Sequence, residues 1–292
     1  MSRRNVVVAA IIVAALIAGA AFANREWLVL SALALNSVKR DLGAQAALIA
    51  PGVEVFRPEE AAGPFPVIIQ FHGCSGFRPG WMKSWAEIAT KAGFIAVAVD
   101  SNGPRGIDRE RALKTVCAGK ELIGQERAGD IAAAIEIAKR QEGADASRIV
   151  LAGWSHGAWS VMDYLALEGA RKAPTSLKAR PPHVSIAGAV LFYPYCGEGT
   201  WSRIAAWSQH PPTLMFVAGR DSVVSPEACR AAATKLRREG VPVDLVDYEN
   251  ADHAFDDATL IGGPYAYFYD EASATDSKMR VGDFLASIAA QQ

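Results

Sequence analysis

Neither sign of charge predominates in this chain of 292 residues: 30 Lys and Arg stand against 31 Asp and Glu. Its basic residues form no run beyond short pairs such as Arg237-Arg238, so the electrostatic footprint of a nucleic-acid partner is absent. No segment repeats another, which excludes solenoids and propellers and leaves one large core as the simplest organisation. Cysteine is scarce, at 4 residues, and histidine nearly so, at 5: His72, His156, His183, His210 and His253. Any histidine base must come from that short roster.

Long uncharged runs are few as well. The one at the N-terminus extends from Val6 to Ala23 behind Arg3-Arg4 and closes with Ala21-Phe22-Ala23. A positive flank, an apolar centre and a small-x-small end describe a signal peptide. The run is also just long enough to span a bilayer as an uncleaved anchor, which would give the chain membrane contact through residues 6–23. In either form residues 1–23 direct export, and the positive-inside rule puts everything after Ala23 on the far side of the membrane. Residues 24–50 read as a linker or amphipathic segment, with Trp27 to Leu35 lying on the membrane or on the domain. Residues 51–292 form the globular domain.

Within that domain β and α signals alternate. Val53 to Phe56 has the alternation of an edge strand, and Val67 to Phe71 and Phe94 to Val99 are continuous apolar strands on either side of a helical stretch from Trp81 to Ala92. From Asp100 to about Glu126 periodicity is lost, and a connection that long often serves as a lid. Helix Glu126 to Gln141, strand Ile149 to Ala152, helix His156 to Glu168, strands Ala187 to Phe192 and Thr213 to Ala218, helix Pro226 to Arg238, strand Asp244 to Tyr248 and helix Ala272 to Ala289 complete the series. Such alternation predicts a mostly parallel central sheet with helices on both faces, and ligands at the carboxyl ends of its strands.

The stretch Gly153-Trp154-Ser155-His156-Gly157 sits between one of those strands and the next helix. A strand, a tight turn bearing serine and a helix make a nucleophile elbow, and glycine flanks it because strand and helix pack too closely there for a Cβ. A serine hydroxyl needs a base, itself oriented by an acid. Only His253 lies between the last predicted strand and the last helix. His156 adjoins the serine and points elsewhere, and His183 and His210 precede strands on the opposite rim. The acid belongs at a strand end between Ser155 and His253, which selects Asp221 after Thr213 to Ala218, with Asp252 as runner-up. Ser225 is a better N-cap than Asp221 for the helix from Pro226.

An oxyanion needs two backbone donors, one from the residue after the nucleophile and one from the loop after an earlier strand. Those are His156 and Cys74, with Gly73 letting the loop pass close to the substrate and His72 serving as a structural ring. Trp154, Trp159, Tyr193 and Tyr195 are candidates for lining an apolar acyl pocket or for core packing. Arg105, on the long connection, is placed to meet an anionic substrate.

As a set, His72-Gly73-Cys74-Ser75-Gly76, Asp100 to Gly106, Gly153 to Gly157, Gly219-Arg220-Asp221 and Asp252-His253-Ala254-Phe255 resemble the dienelactone hydrolase family of α/β-hydrolases, over roughly Val53 to Ile288. The resemblance implies the α/β-hydrolase fold, a triad of Ser155, Asp221 and His253, and hydrolysis of ester-type substrates. The family's namesakes carry cysteine where this chain has Ser155. Gly-Trp-Ser-x-Gly is also similar to the elbow of bacterial cutinases and polyester hydrolases, which makes a larger exported ester a second option. The fold the resemblance implies sets the strands before Cys74 and before the loop of Cys117 side by side. It does the same for those before Cys196 and before the helix holding Cys229. Disulfides Cys74–Cys117 and Cys196–Cys229 are expected on that basis, and oxidation would silence Cys74 as a second nucleophile.

The expectation is therefore an exported or membrane-anchored serine hydrolase acting on a small-molecule ester, with no metal and no organic cofactor. A peptidase would need a pocket or domain for peptide termini, and a non-catalytic binding protein on the same fold would need a broken triad.

Overall fold

The computed structural model describes residues 25–59, 63–261 and 268–290, together with Asn5, Val7, Val8, Ile11, Val13 and Ala14. Apart from those six positions the leader or anchor read in residues 1–23 lies outside the described residues, as does the cleavage position Ala23. Among the described residues no helix is long and apolar enough to cross a membrane.

Among the described residues seven strands form one sheet in the order β1-β3-β2-β4-β5-β6-β7. They are β1 (Val53–Phe56), β2 (Phe65–Phe71), β3 (Ile95–Val99), β4 (Ala144–Trp154), β5 (Ile186–Phe192), β6 (Thr213–Ala218) and β7 (Val243–Tyr248). Only β1 runs antiparallel to its neighbour, at the edge against β3; the other pairings are parallel. The family of sheet that alternating β and α signals imply is the one observed.

Period-two alternation divides the core. Val67, Ile69 and Phe71 of β2, Ile149 and Leu151 of β4, and Met215 and Val217 of β6 face one layer. Ile68, Val150, Ala152, Leu214 and Phe216, the residues between them, face the other. The first layer is covered by α2 (Leu42–Ile49), α5 (Gly124–Ala138), α6 (His156–Gly169) and α7 (Pro226–Arg238), and the second by α3 (Pro79–Lys91) and α8 (Glu271–Ala289). Both faces of β2, β3, β5, β6 and the C-terminal half of β4 are buried, which is why these strands read as continuous apolar runs, whereas the edge strands β1 and β7 keep exposed positions.

Residues 25–33 are helical (α1) and, with α2, pack on the domain: Leu30, Ala46 and Ile49 join the first layer. α1 rests on the domain through Leu30, while Trp27 and Leu28 are exposed.

The connection after β3 is not structureless. It holds a 3-10 turn at Gly103–Arg105 and α4 (Arg109–Lys114), whose N-cap Asp108 accepts from Arg111 N at 2.8 Å. Six residues are too few to show helical periodicity in sequence. Ile107, Ala112, Val116 and Leu122 make a small core of their own, packed against Cys74, and the Cys74–Cys117 disulfide ties this segment to the loop after β2. The second disulfide, Cys196–Cys229, joins the segment after β5 to α7.

Candidate active site

The site forms where the carboxyl ends of the central strands meet. Gly153 of β4 pairs with Phe71 of β2 and Leu191 of β5, after which the chain reverses at Ser155 with φ 53° and ψ −114°. Positive φ is strained for a residue with a Cβ. It is held here by Ser155 N donating to the Phe192 carbonyl at 2.8 Å, while the Ser155 carbonyl accepts from Trp159 N at 3.0 Å. A Cβ on Gly157 would stand 2.1 Å from the Phe71 oxygen, and one on Gly153 would stand 2.4 Å from Ala158 N. These contacts are the physical reason for glycine at both positions.

His253 stands in the loop after β7 and brings its Nε2 to 2.9 Å from Ser155 Oγ. Its Nδ1 donates to Asp221 Oδ2 at 2.8 Å, leaving Nε2 as the acceptor for the serine proton. The other Asp221 oxygen accepts from Val223 N and Val224 N at 2.9 and 2.8 Å, which fixes the carboxylate plane. Ser225, not Asp221, caps α7, accepting from Ala228 N at 3.1 Å. Asp252 works elsewhere: its Oδ1 accepts from His253 N at 2.7 Å, Ser222 N at 2.7 Å and Ser222 Oγ at 2.9 Å, so it links the loop of His253 to the loop of Asp221. A chain of bonds of this kind lets an imidazole take the serine proton while the carboxylate steadies the imidazolium.

Cys74 and His156 border a cavity together with Ser155, and neither amide is used by another backbone group among the described residues. A Cβ on Gly73 would meet Ser155 Cβ at 3.6 Å, an ordinary contact, so glycine there leaves room in front of the serine and is not forced by packing. His72 is a buried structural ring whose Nδ1 donates to the Gly73 carbonyl at 2.6 Å and whose Nε2 accepts from Ser101 N at 3.1 Å.

Beneath this turn Arg127 of α5 is fully buried. Its Nη1 donates to the His72 carbonyl at 2.7 Å and to His156 Nδ1 at 3.2 Å, and its Nε donates to Ser101 Oγ at 3.0 Å. Burial lowers Arg127 to about 10. Burial, then the charge of Arg127, holds both His72 and His156 below the ordinary histidine value of 6.5. Both rings are thus neutral in the folded chain at pH values where the unfolded chain protonates them, so each draws stability down as pH falls below about 6.5. Relative to His156→Asn, the unfolding free energy of the wild type is expected to fall by up to about 1.4 kcal/mol per pH unit across that range. Denaturant titrations of both proteins at neutral and acid pH measure the difference, and parallel curves would refute it.

Ser155 opens on two cavities. One of about 250 Å³ is bordered by Arg78, Trp81, Trp154, Tyr193 and His253; the other, of about 470 Å³, by Val29, Leu33, Trp159 and Tyr195. Cys74, Cys117 and Val223 border both. The four aromatic candidates are therefore divided between the two. Trp154 and Tyr193 are also core residues, anchored on the buried Asp256: Trp154 Nε1 and Trp85 Nε1 each donate to its Oδ2 at 3.1 Å, and Tyr193 Oη donates to Oδ1 at 2.6 Å. Burial pushes the Asp256 carboxyl up despite these donors.

Arg105 departs from expectation. Its Nη1 donates to the Ser101 carbonyl at 2.6 Å and its Nη2 pairs with the buried Asp130 at 2.7 Å, and it borders neither cavity. The ion pair with α5 outweighs exposure on the loop, so the arginines at the first cavity are Arg78 and Arg109 instead. Arg78 pairs with Asp257 and donates to Ser75 Oγ at 3.1 Å, bridging the loop after β2 to the loop of His253.

The sequence model of the Dienelactone hydrolase family matches residues 52–289. The chain belongs to that family. Among solved structures it is similar to P91, a dienelactone hydrolase-like promiscuous phosphotriesterase from metagenomic libraries, with 21% identity and a TM-score of 0.64 over 81% of this chain and 92% of that one. It is also similar to a thermophilic esterase of the Planctomycetes species Thermogutta terrifontis with propionate bound, at 18% identity and a TM-score of 0.60 over 82% of this chain and 91% of that one. The same esterase phosphorylated by paraoxon gives 19% identity and a TM-score of 0.59, over 82% and 90% of the two chains. At such identities the likeness is one of fold. No curated protein matches the chain.

In this member of the dienelactone hydrolase family, three supports of the site carry no motif of their own. Arg127 lies within a small-residue helix, and Asp256 and Asp257 follow directly on the block ending at Phe255. The available signal was charge adjoining an apolar run, which only the fold turns into the contacts above.

Proposed function

We propose that the protein is an extracytoplasmic serine esterase. The observation that carries the reading is the continuous hydrogen-bonded chain from Asp221 through His253 to Ser155; the amides of Cys74 and His156, which no other backbone group among the described residues uses, are proposed to receive the oxyanion. In the proposed reaction His253 Nε2 takes the Ser155 proton as Oγ attacks the ester carbonyl carbon, and the carbonyl π-electrons move onto oxygen, facing Cys74 N and His156 N. The carbon–oxygen bond to the alcohol then breaks, and the leaving oxygen takes the proton from His253. Water, deprotonated by the same ring, attacks the acyl-enzyme and releases the acid with Ser155 restored. Asp221 keeps Nδ1–H in place throughout. Trp154 and Tyr193 are proposed to line the substrate cavity.

Family membership supports hydrolase chemistry, and the esterases of like fold support an ester substrate. The charged start and apolar run of residues 1–23, with two disulfides, support export, either as a cleaved leader or as an anchor ahead of a catalytic domain over 51–292.

The test is hydrolysis of p-nitrophenyl acetate and butyrate by the purified chain, followed by mass mapping after incubation with paraoxon. Release of nitrophenol and a diethylphosphoryl adduct on the Ser155 peptide are expected. Absence of both would overturn the reading.

A further inference from the structure

The second cavity beside Ser155 is walled in part by residues that precede the family match. Val29 and Leu33 lie four residues apart, one above the other on the same face of α1, and both border the cavity. Several contacts fix α1 against the domain. Arg25 pairs with Glu198 at 2.7 Å, and the buried Glu26 pairs with Arg203 at 2.9 Å. Trp27 meets Trp201 edge-on with ring centres 5.7 Å apart. Leu30 is buried, and its carbonyl accepts from Gln125 Nε2 at 2.7 Å. The wall is therefore held in register with Ser155 by polar and apolar contacts together.

Building on the serine-esterase reading above, we propose that this cavity receives the acyl chain of the ester, and that Val29 and Leu33 set how long that chain can be. The direction follows from the four groups on the tetrahedral carbon. One is Ser155 Oγ, and the oxyanion must face the amides of Cys74 and His156. The leaving oxygen must reach His253 Nε2 to be protonated, and His253 borders the first cavity and not the second. The alcohol therefore occupies the first cavity, and the acyl carbon points into the second. Its remaining walls include Val116, Trp159, Tyr195 and Val224, and Glu198 at its rim is taken up by Arg25. An unbranched aliphatic acyl group suits such a lining, whereas a charged acid would be desolvated there without a partner.

The experiment uses the full chain with two ester series, p-nitrophenyl esters from acetate to dodecanoate and acetate esters of alcohols from methanol to octanol. Leu33→Trp fills the cavity and is expected to lower kcat/KM for the octanoate relative to the acetate by at least about tenfold, since a pocket discriminates by that order for each unaccommodated methylene. Leu33→Ala and Val29→Ala are expected to move the acyl optimum to longer chains. All three should leave the ranking of the alcohol series unchanged. Equal losses on acetate and octanoate, or a shift in the alcohol series in place of the acyl series, would overturn the proposal. If Leu33→Trp does not fold, an unchanged dodecanoate-to-acetate ratio in both alanine variants overturns it just as firmly. Failure of the esterase reading looks different: the wild type would then turn over no member of either series and take up no phosphoryl group from paraoxon.

Discussion

Ser155→Ala is expected to lower kcat for p-nitrophenyl acetate by about 10⁵ to 10⁶-fold, the scale seen when a triad serine is removed. The residue left behind keeps its Cβ and therefore its place in the strained turn, so the loss belongs to Oγ and not to the fold. Thermal unfolding of the variant should match the wild type to within about 0.5 kcal/mol. The variant should also take up no phosphoryl group from paraoxon. Turnover within tenfold of the wild type would remove Ser155 from the mechanism. Low residual hydrolysis is expected, because the amides of Cys74 and His156 and the cavity walls remain.

Asp221→Asn is expected to lower kcat by about 10⁴-fold. An asparagine amide facing Nδ1 favours the wrong tautomer, with the proton on Nε2, where the base must accept. The comparison is Asp252→Asn. All three bonds to Asp252 end on Oδ1 and come from donors, two amides and a hydroxyl, and an asparagine carbonyl accepts the same three. That variant is expected to keep activity within about tenfold. Side-by-side kinetics of the two proteins would reassign the acid if the order of the losses were reversed.

What could be read from residues alone follows a physical rule. The elbow was legible because its strain and close packing admit few residue types: at Gly157 there is no room for a methyl group beside the Phe71 carbonyl. The central strands were legible because both of their faces are buried, and β1 because an edge strand alternates. The position of His253 was legible because chain order in an alternating fold restricts which loops can meet.

Features settled by a single tertiary contact were not legible. Arg105 had the look of a free cation on a loop, and only the approach of α5 gives it Asp130. Nothing in the sequence marks Arg127, and only the docking of its helix under the loop after β2 sets its guanidinium between the His72 carbonyl and His156. α4 was not legible because its six residues make fewer than two turns, too few for a period to repeat. For α1, amphipathic composition alone does not show its packing on the domain, which rests on partners such as Trp201, Glu198 and Gln125 that come far later in the chain.

The hydrogen bond between His253 and Ser155 spans 98 residues of sequence, and it closes across β4, β5, β6 and β7. A chain emerging from a ribosome or threading through a translocation channel presents its serine long before its base. On the proposed mechanism that serine stays chemically silent until the last strand has joined the sheet. Recovery of turnover on refolding should therefore lag behind recovery of helical signal, making activity a clock for completion of the C-terminal third.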